Sequence, residues 1–498
     1  MASIAKAVEQ TLKSGLVRFQ AFVNGAWIDA KDRRTFSVTN PADGSHLGDV
    51  PDMTTDDARS AIDAAYEAKR EWAKRTSKER SGLLRRWFDL VRRNRDDLAR
   101  IITAEQGKPL NEAKGEVDYG ASFIEWYSEE AKRVYGDVLP SVSTSKRLFV
   151  LKEPVGVAAL ITPWNFPFSM VLRKASAALA AGCTAVVKPA EDTPLCALAL
   201  AKLAEDAGIP AGVYNTITCS RDNVAGVGEM LAASEKIAMV SFTGSTAVGK
   251  LLLKHCASNV TKVSMELGGQ AAFIVFDSAD ADAAVEGAAN AKFRNAGQAC
   301  IAANRFLVQE GIHDLFCEKL KVAMEKLFVG NGFEEGVTVG PLINQRAAEK
   351  VMAHVTDAIS KGGKVLCGGD FHHLGRTFFK PTLLSHCTVD MLPAREETFG
   401  PIIPVFKFKT EEEALKMANS TQYGLASYFY STDFSQIWRV AESLECGVVG
   451  VNEGSVTTEV APFGGVKQSG IGKEGSKYGI EEFLHTKYIC MGNIRPGK

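Results

Sequence analysis

The chain has no long apolar run. None approaches the ~20 residues that a helix needs to cross a bilayer, which excludes a helical membrane span. Net charge is nearly absent as well, formally −1 in 498 residues. That removes the electrostatic reason to expect nucleic acid or an anionic membrane as a partner. Metal-ligand spacing is missing: the ten cysteines include no C-x-x-C pair, and of eight histidines only His372 and His373 are adjacent. No structural metal is expected, and reduced thiols in a cytoplasmic setting are. The start, MASIAKAVEQTLKSGLVRF, lacks the apolar core of a secretory signal, and Glu9 with no arginine before Arg18 makes it a poor transit peptide. Repeats and low-complexity tracts are absent too.

What is present is an ordinary soluble globular composition, 46% apolar and 23% charged, long enough for roughly three domains. Asn24-Gly25 between short apolar pairs predicts a tight hairpin over 22–27. Helices are expected after Thr54-Thr55, from the capping pattern Thr76-Ser77-Lys78-Glu79, and as one long amphipathic stretch over 97–135. From 151 the period changes. Apolar runs at 155–161, 184–188, 213–218 and 237–242 alternate with helices, which predicts a parallel sheet covered on both faces. A second alternating block runs from about 271 to 460. Two lone strands, 147–152 and 488–491, belong clearly to neither block and are free to pair with something outside.

Cys300 stands apart from the other cysteines. Cys183, Cys196 and Cys367 lie in apolar surroundings, whereas Asn295, Gly297 and Gln298 precede Cys300. A reactive thiol must be partly open and reach the thiolate form; on this stretch alone a loop cysteine is the commoner outcome. The first parallel block suggests a nucleotide site at its strand ends, although G-x-G-x-x-G is lacking. Gly244 permits close backbone approach, and Ser245 opens a helix whose N–H groups attract phosphate; a plain turn with a serine cap fits equally. Lys188 and Glu191 suit ribose hydroxyls, against the commoner solvated charge pair. Glu266 in an apolar, glycine-rich turn suits a general base or a backbone cap. Asn165 between prolines and aromatics suits an oxyanion donor or a turn asparagine.

Taken together, TPWNFP, FTGSTAVGK, MELGGQ, GQAC, EETFGP and APFGGVKQSG, in this order over roughly residues 20–490, resemble the aldehyde dehydrogenase superfamily. YGASFIEWYSEEAKRVYG, AKFRNAGQAC, VNEG and GKEGSKYG resemble its succinate-semialdehyde dehydrogenases more closely. The resemblance implies an α/β fold of two doubly wound parallel-sheet domains plus a small β oligomerisation element. Residues 1–133 and 153–268 would bind NAD, 269–462 would form the catalytic domain, and 134–152 with 482–498 would join subunits into a dimer or tetramer.

Residue by residue, the resemblance makes Cys300 the nucleophile, Glu266 the base and Asn165 the side-chain half of the oxyanion hole. It makes Thr162, Pro163, Trp164, Lys188, Glu191, Gly244, Ser245, Glu397 and Phe399 cofactor contacts. Arg173, Arg294 and Thr457 fall where a substrate carboxylate is held, although from spacing alone each arginine reads as a surface or structural one. NAD is expected ahead of NADP, because Glu191 would repel a 2′-phosphate. The expected substrate is succinate semialdehyde or a similar ω-carboxy aldehyde such as glutarate semialdehyde. A CoA-acylating relative is disfavoured by the base Glu266, and a non-catalytic protein on the same scaffold by the intact trio. The pattern departs in three places: Gln270 with Ala271-Ala272 replaces asparagine and proline, Ala302 replaces a second cysteine, and Thr457 replaces a serine.

Overall fold

The computed structural model describes residues 2–494. One sheet has the strand order Ala26–Ile28, Ala21–Val23, Tyr214–Thr216, Thr184–Lys188, Val157–Ile161, Ile237–Thr243, Lys262–Glu266, Gly470–Ile471. Its five central strands are parallel, and the hairpin and the last strand are antiparallel edges. Val157–Ile161 and Thr184–Lys188 are buried along their whole length. Burying each Val, Leu or Ile there contributes ~1.5–3 kcal/mol, which explains why the runs are continuous rather than alternating. The chain fills the sheet outward from Val157–Ile161 on one side, then returns to Ile237–Thr243 on the other. That reversal opens a crevice at the carboxyl ends of these two strands.

The second sheet runs Lys364–Cys367, Thr382–Ser385, Ile402–Phe408, Ala303–Gln309, Ala271–Val275, Ala426–Tyr430, Val448–Val451, parallel except for its first strand. Only the short link Leu267–Gln270 separates the end of one sheet's Lys262–Glu266 from the start of the other's Ala271–Val275.

One expectation needs correction, and two segments outside the blocks find their neighbours. The stretch 97–135 is two helices, Arg95–Gln106 and Leu110–Glu130. Gly107 takes a left-handed turn at φ 91° that ends the first, and Pro109 cannot donate the bond that would continue it. The two lone strands pair with each other: Arg147–Pro154 lies between Leu484–Met491 and Asp137–Leu139 in an antiparallel sheet. Period reading cannot see a partner more than 300 residues away. Last, Gly470–Ile471 comes from a segment outside the expected domain ranges and completes the edge of the first sheet beside Lys262–Glu266. Among the described residues no helix is long and apolar enough to cross a membrane.

Candidate active site

The crevice is lined from both of its strands. After Ile161 come Thr162, Pro163, Trp164 and Asn165; after Thr243 come Gly244 and Ser245. Ser245 caps the helix Thr246–Cys256, its hydroxyl accepting from the Val248 N–H at 3.4 Å. Lys188 ends the next strand, 3.8 Å from Glu191, whose other oxygen takes Arg221 Nε at 3.2 Å. Burial opposes the Glu191 charge, but Lys188 and Arg221 outweigh it and hold the carboxyl below its usual range.

Cys300 is delivered by a strained turn. Asn295, Ala296 and Gly297 are all left-handed, at φ 52°, 54° and 76°. Only the last has no Cβ to pay for it; each of the others costs roughly 1–2 kcal/mol. Side chains hold the turn in place. The Asn295 N–H donates to Glu112 at 2.7 Å, and Asn295 Nδ2 donates to the Asn165 carbonyl at 2.8 Å. Gln298 Nε2 donates to the Asn295 carbonyl at 3.0 Å, while its Oε1 accepts from the Ile343 N–H at 2.9 Å. Asn165 Nδ2 donates to the Gln298 carbonyl at 3.0 Å, which ties the asparagine to the nucleophile's own loop. Below them Lys108 Nζ reaches the Asn165 carbonyl at 2.8 Å and Glu116 Oε2 at 2.5 Å. Glu116 Oε1 accepts from the N–H groups of Phe168 and Ser169, opening the helix Ser169–Ala181.

The reacting groups are left less bonded. Asn165 is 4% exposed and its Oδ1 has no protein partner. Glu266, the last residue of its strand, is 2% exposed, and neither carboxyl oxygen is hydrogen-bonded. Burial pushes its pKa well above the usual carboxylate range, with Glu474 adding to the rise and Arg173, Lys174 and Lys473 opposing it. Burial also pushes the Cys300 thiol up to about 12; Arg173 and Arg294 pull it down, and Glu397 and Glu266 push it further up. The resting thiol is therefore protonated at neutral pH, and a base is needed to make it a nucleophile.

On the cofactor side, Glu397 Oε1 accepts from the Gly269 N–H at 3.0 Å, and burial raises this carboxyl to about 7. Phe399, left-handed at φ 57°, meets Trp164 edge-on at 5.5 Å, so the two sheets each supply one wall.

Arg173 is no surface residue. It is 2% exposed, lies 4.1 Å over the Phe463 ring, and pairs with Glu474 Oε2 at 2.8 Å off the hydrogen-bond direction, leaving Nε without a partner. Lys174 takes the other Glu474 oxygen. Burial works against the Glu474 charge, and Lys174 and Arg173 overcome it, so Glu474 is held below the usual carboxylate range while Glu266 is pushed above it. Arg294 lies 4.9 Å over Phe166 and lines one narrow gap with Thr457, Ala299 and Ala302. The fold thus gathers Cys300, Glu266, Asn165, Arg173, Arg294 and Thr457 at one place, with Lys188, Glu191, Gly244 and Ser245 further along the crevice. Sequence reading misses Lys108, Glu112, Glu116 and Glu474, and sees Gln298 only as a neighbour of Cys300. Glu474 lies in GKEGSKYG, a stretch that carries the family resemblance without marking its glutamate. Gln270 faces away, toward a cavity of about 370 Å³ shared with Arg305. Among the described residues no cluster of His, Cys, Asp or Glu suits a metal ion.

The pattern of the Aldehyde dehydrogenase family matches residues 27–489. The human protein named succinate-semialdehyde dehydrogenase, mitochondrial, is 59% identical over 97% of this chain and 90% of its own. A succinate-semialdehyde dehydrogenase [NADP(+)] of Escherichia coli is 54% identical over 96% and 99%, and a glutarate-semialdehyde dehydrogenase of Pseudomonas aeruginosa 56% over 96% and 99%. Among solved structures, succinate-semialdehyde dehydrogenase of Burkholderia pseudomallei superimposes with a TM-score of 0.95 at 53% identity, covering 96% and 99%. Betaine aldehyde dehydrogenase of Staphylococcus aureus in complex with NAD+ gives 0.95 at 34%, covering 100% and 99%. Identity above one half along almost the whole chain, on the same two-sheet architecture, leaves one conclusion: the chain belongs to the aldehyde dehydrogenase family.

Proposed function

We propose that this enzyme oxidises succinate semialdehyde, or a close ω-carboxy aldehyde, to the dicarboxylic acid with NAD. The observation that carries the reading is Arg173: a buried guanidinium with an unused Nε donor, beside the thiol and in the same region as Arg294 and Thr457. Arginine suits a carboxylate because its planar fork can bind both oxygens. Glu266 takes the Cys300 proton, directly or through water. The thiolate adds to the aldehyde carbon, and the resulting oxyanion is held by Asn165 Nδ2 and the Cys300 N–H. Once hydride has left, a thioester remains on Cys300. After giving up its first proton to solvent, Glu266 removes a proton from water, which attacks the thioester; the acid leaves and the departing thiolate takes that proton back.

The crevice fits a dinucleotide. It has an ionised Glu191 beside Lys188 for ribose hydroxyls, free N–H groups in the first turn after Ser245, and the Trp164–Phe399 walls. NAD supplies the hydride acceptor when bound. The Glu191 charge favours NAD over NADP, and the NADP label of the Escherichia coli relative marks the rival outcome. The glutarate-semialdehyde relative makes a longer substrate the second reading. The exposed edge of Leu484–Met491, carrying Tyr488, Ile489 and Met491, supports a homodimer or homotetramer, because such an edge is otherwise a liability. Reduced thiols support a cytoplasmic location; cell fractionation decides between that and the compartment named for the human relative.

The test is steady-state kcat/KM for succinate semialdehyde, glutarate semialdehyde and butanal, each with NAD and NADP. A preference for succinate semialdehyde with NAD supports the reading, and equal rates on butanal sink it.

A further inference from the structure

One polar group beside the two arginines is left without a role. Tyr119 sits on the Leu110–Glu130 helix one turn before Phe123, and their rings meet edge-on at 5.0 Å and 85°. The Arg173 guanidinium lies 5.7 Å over that same Phe123 ring. The Tyr119 hydroxyl is buried and makes no hydrogen bond in the protein. Burial keeps the phenol protonated, with its pKa above the usual tyrosine range, while Arg173 and Arg294 are both near enough to pull against that rise. The Thr457 hydroxyl also lies beside it, but out of hydrogen-bond geometry.

A buried donor with nothing to bond destabilises the free protein, so its persistence calls for a ligand that completes it. The neighbours state what that ligand is. Two cations, a hydroxyl and the Glu474 carboxylate lie near the phenol; Arg173 and Lys174 already compensate Glu474, which leaves Arg294 without a carboxylate partner there, so the missing group is an acceptor and carries negative charge. A carboxylate offers about four lone-pair sites, more than one guanidinium fills. The ring is steered by its edge contact with Phe123 on a rigid helix, which limits the entropy lost when the bond forms.

We propose that Tyr119 is a further substrate contact, its hydroxyl donating to the distal carboxylate held between Arg173, Arg294 and Thr457. This inference rests on the ω-carboxy aldehyde reading above. The contact lies at the far end of the substrate and belongs to recognition, so it discriminates charged from uncharged aldehydes and does no proton transfer.

The experiment uses Tyr119→Phe, which removes one oxygen and keeps the ring, beside Arg294→Ala and the parent enzyme. Each is assayed with NAD on succinate semialdehyde and butanal, and melted with and without succinate. One lost hydrogen bond to a charged group lowers the selectivity for succinate semialdehyde over butanal by about tenfold. The expected Tyr119→Phe result is that loss, with a smaller succinate-induced rise in Tm and a ligand-free Tm equal to or above the parent's. Equal losses on both aldehydes, or a lower ligand-free Tm, would assign the hydroxyl to the fold and overturn the proposal. Unchanged selectivity in Tyr119→Phe with a loss in Arg294→Ala overturns the Tyr119 contact and leaves the carboxylate reading standing. No selectivity loss in either variant overturns both.

Discussion

Glu116 and Glu266 are both carboxylates shut away from solvent, yet the fold bonds one fully and the other not at all. Glu116 takes Lys108 on one oxygen and two backbone N–H groups on the other. Glu266 has no partner on either oxygen. The lower layer is a finished network that fixes where Asn165 and Cys300 stand. The upper layer leaves both Glu266 oxygens free for the protons they move. Buried unbonded groups cost stability, so they persist where chemistry needs them.

The sharpest way to break this contrast is Cys300→Ser, since a hydroxyl there is a far weaker nucleophile. Oxidation falls to background while NAD binding, followed by fluorescence titration, stays near the parent's. Iodoacetamide mapping must place the inactivating label on Cys300; a label elsewhere in dead enzyme refutes the assignment.

Next comes the matched pair Glu266→Gln and Glu116→Gln. Losing the base slows the hydrolytic half, by roughly 10²–10⁴-fold, more than the hydride step, read as a burst of NADH and then stalled turnover; a slow rate without a burst would assign Glu266 to thiol activation instead. Tm should not fall, because no hydrogen bond is lost. Glu116→Gln leaves Lys108 buried without its counter-charge, and urea unfolding should show a loss of about 3–5 kcal/mol. If the two stability results were reversed, the contrast would be meaningless.

Arg294→Ala should cut kcat/KM for succinate semialdehyde by about 10–100-fold and spare butanal. Arg173→Ala is the blunter probe. It also strips Glu474 of a partner, so part of its loss will appear on butanal and in Tm.

The smallest effect is a pH dependence. Glu397 stays protonated below about 7, and a protonated carboxyl is a poorer acceptor for ribose hydroxyls. NAD affinity should therefore weaken as pH drops through 7 in the parent and stay flatter in Glu397→Gln. Parallel profiles from calorimetry would remove Glu397 from the cofactor contact.

The alternating strands and helices were legible in the sequence because burial on both faces writes itself as continuous apolar runs. Motifs likewise marked Cys300, Glu266 and Asn165, since each sits in a short stretch of unusual composition. The supporting network was not legible. Lys108 and Asn165, or Arg173 and Glu474, meet only after folding, and nothing in local spacing announces a partner 57 or 301 residues away. Left-handed Asn295 and Ala296 were hidden for another reason: tertiary bonds override the backbone preference of these residues, and only Gly297 advertised the turn. The break at Gly107 is a glycine with Pro109 close behind, but the amphipathic period continues on either side and hides it.

Gly470–Ile471 sets a schedule for the growing polypeptide. The strand that ends in Glu266 has its outer neighbour about 200 residues downstream. At 5–20 residues per second, the ribosome needs roughly 10–40 s to supply that neighbour. Until then the first sheet can close around its other strands, but the side of Lys262–Glu266 stays open to water and to other nascent chains. A polypeptide stalled between residues 300 and 470 would carry Cys300 without an enclosed Glu266, so the thiol exists before the chemistry does.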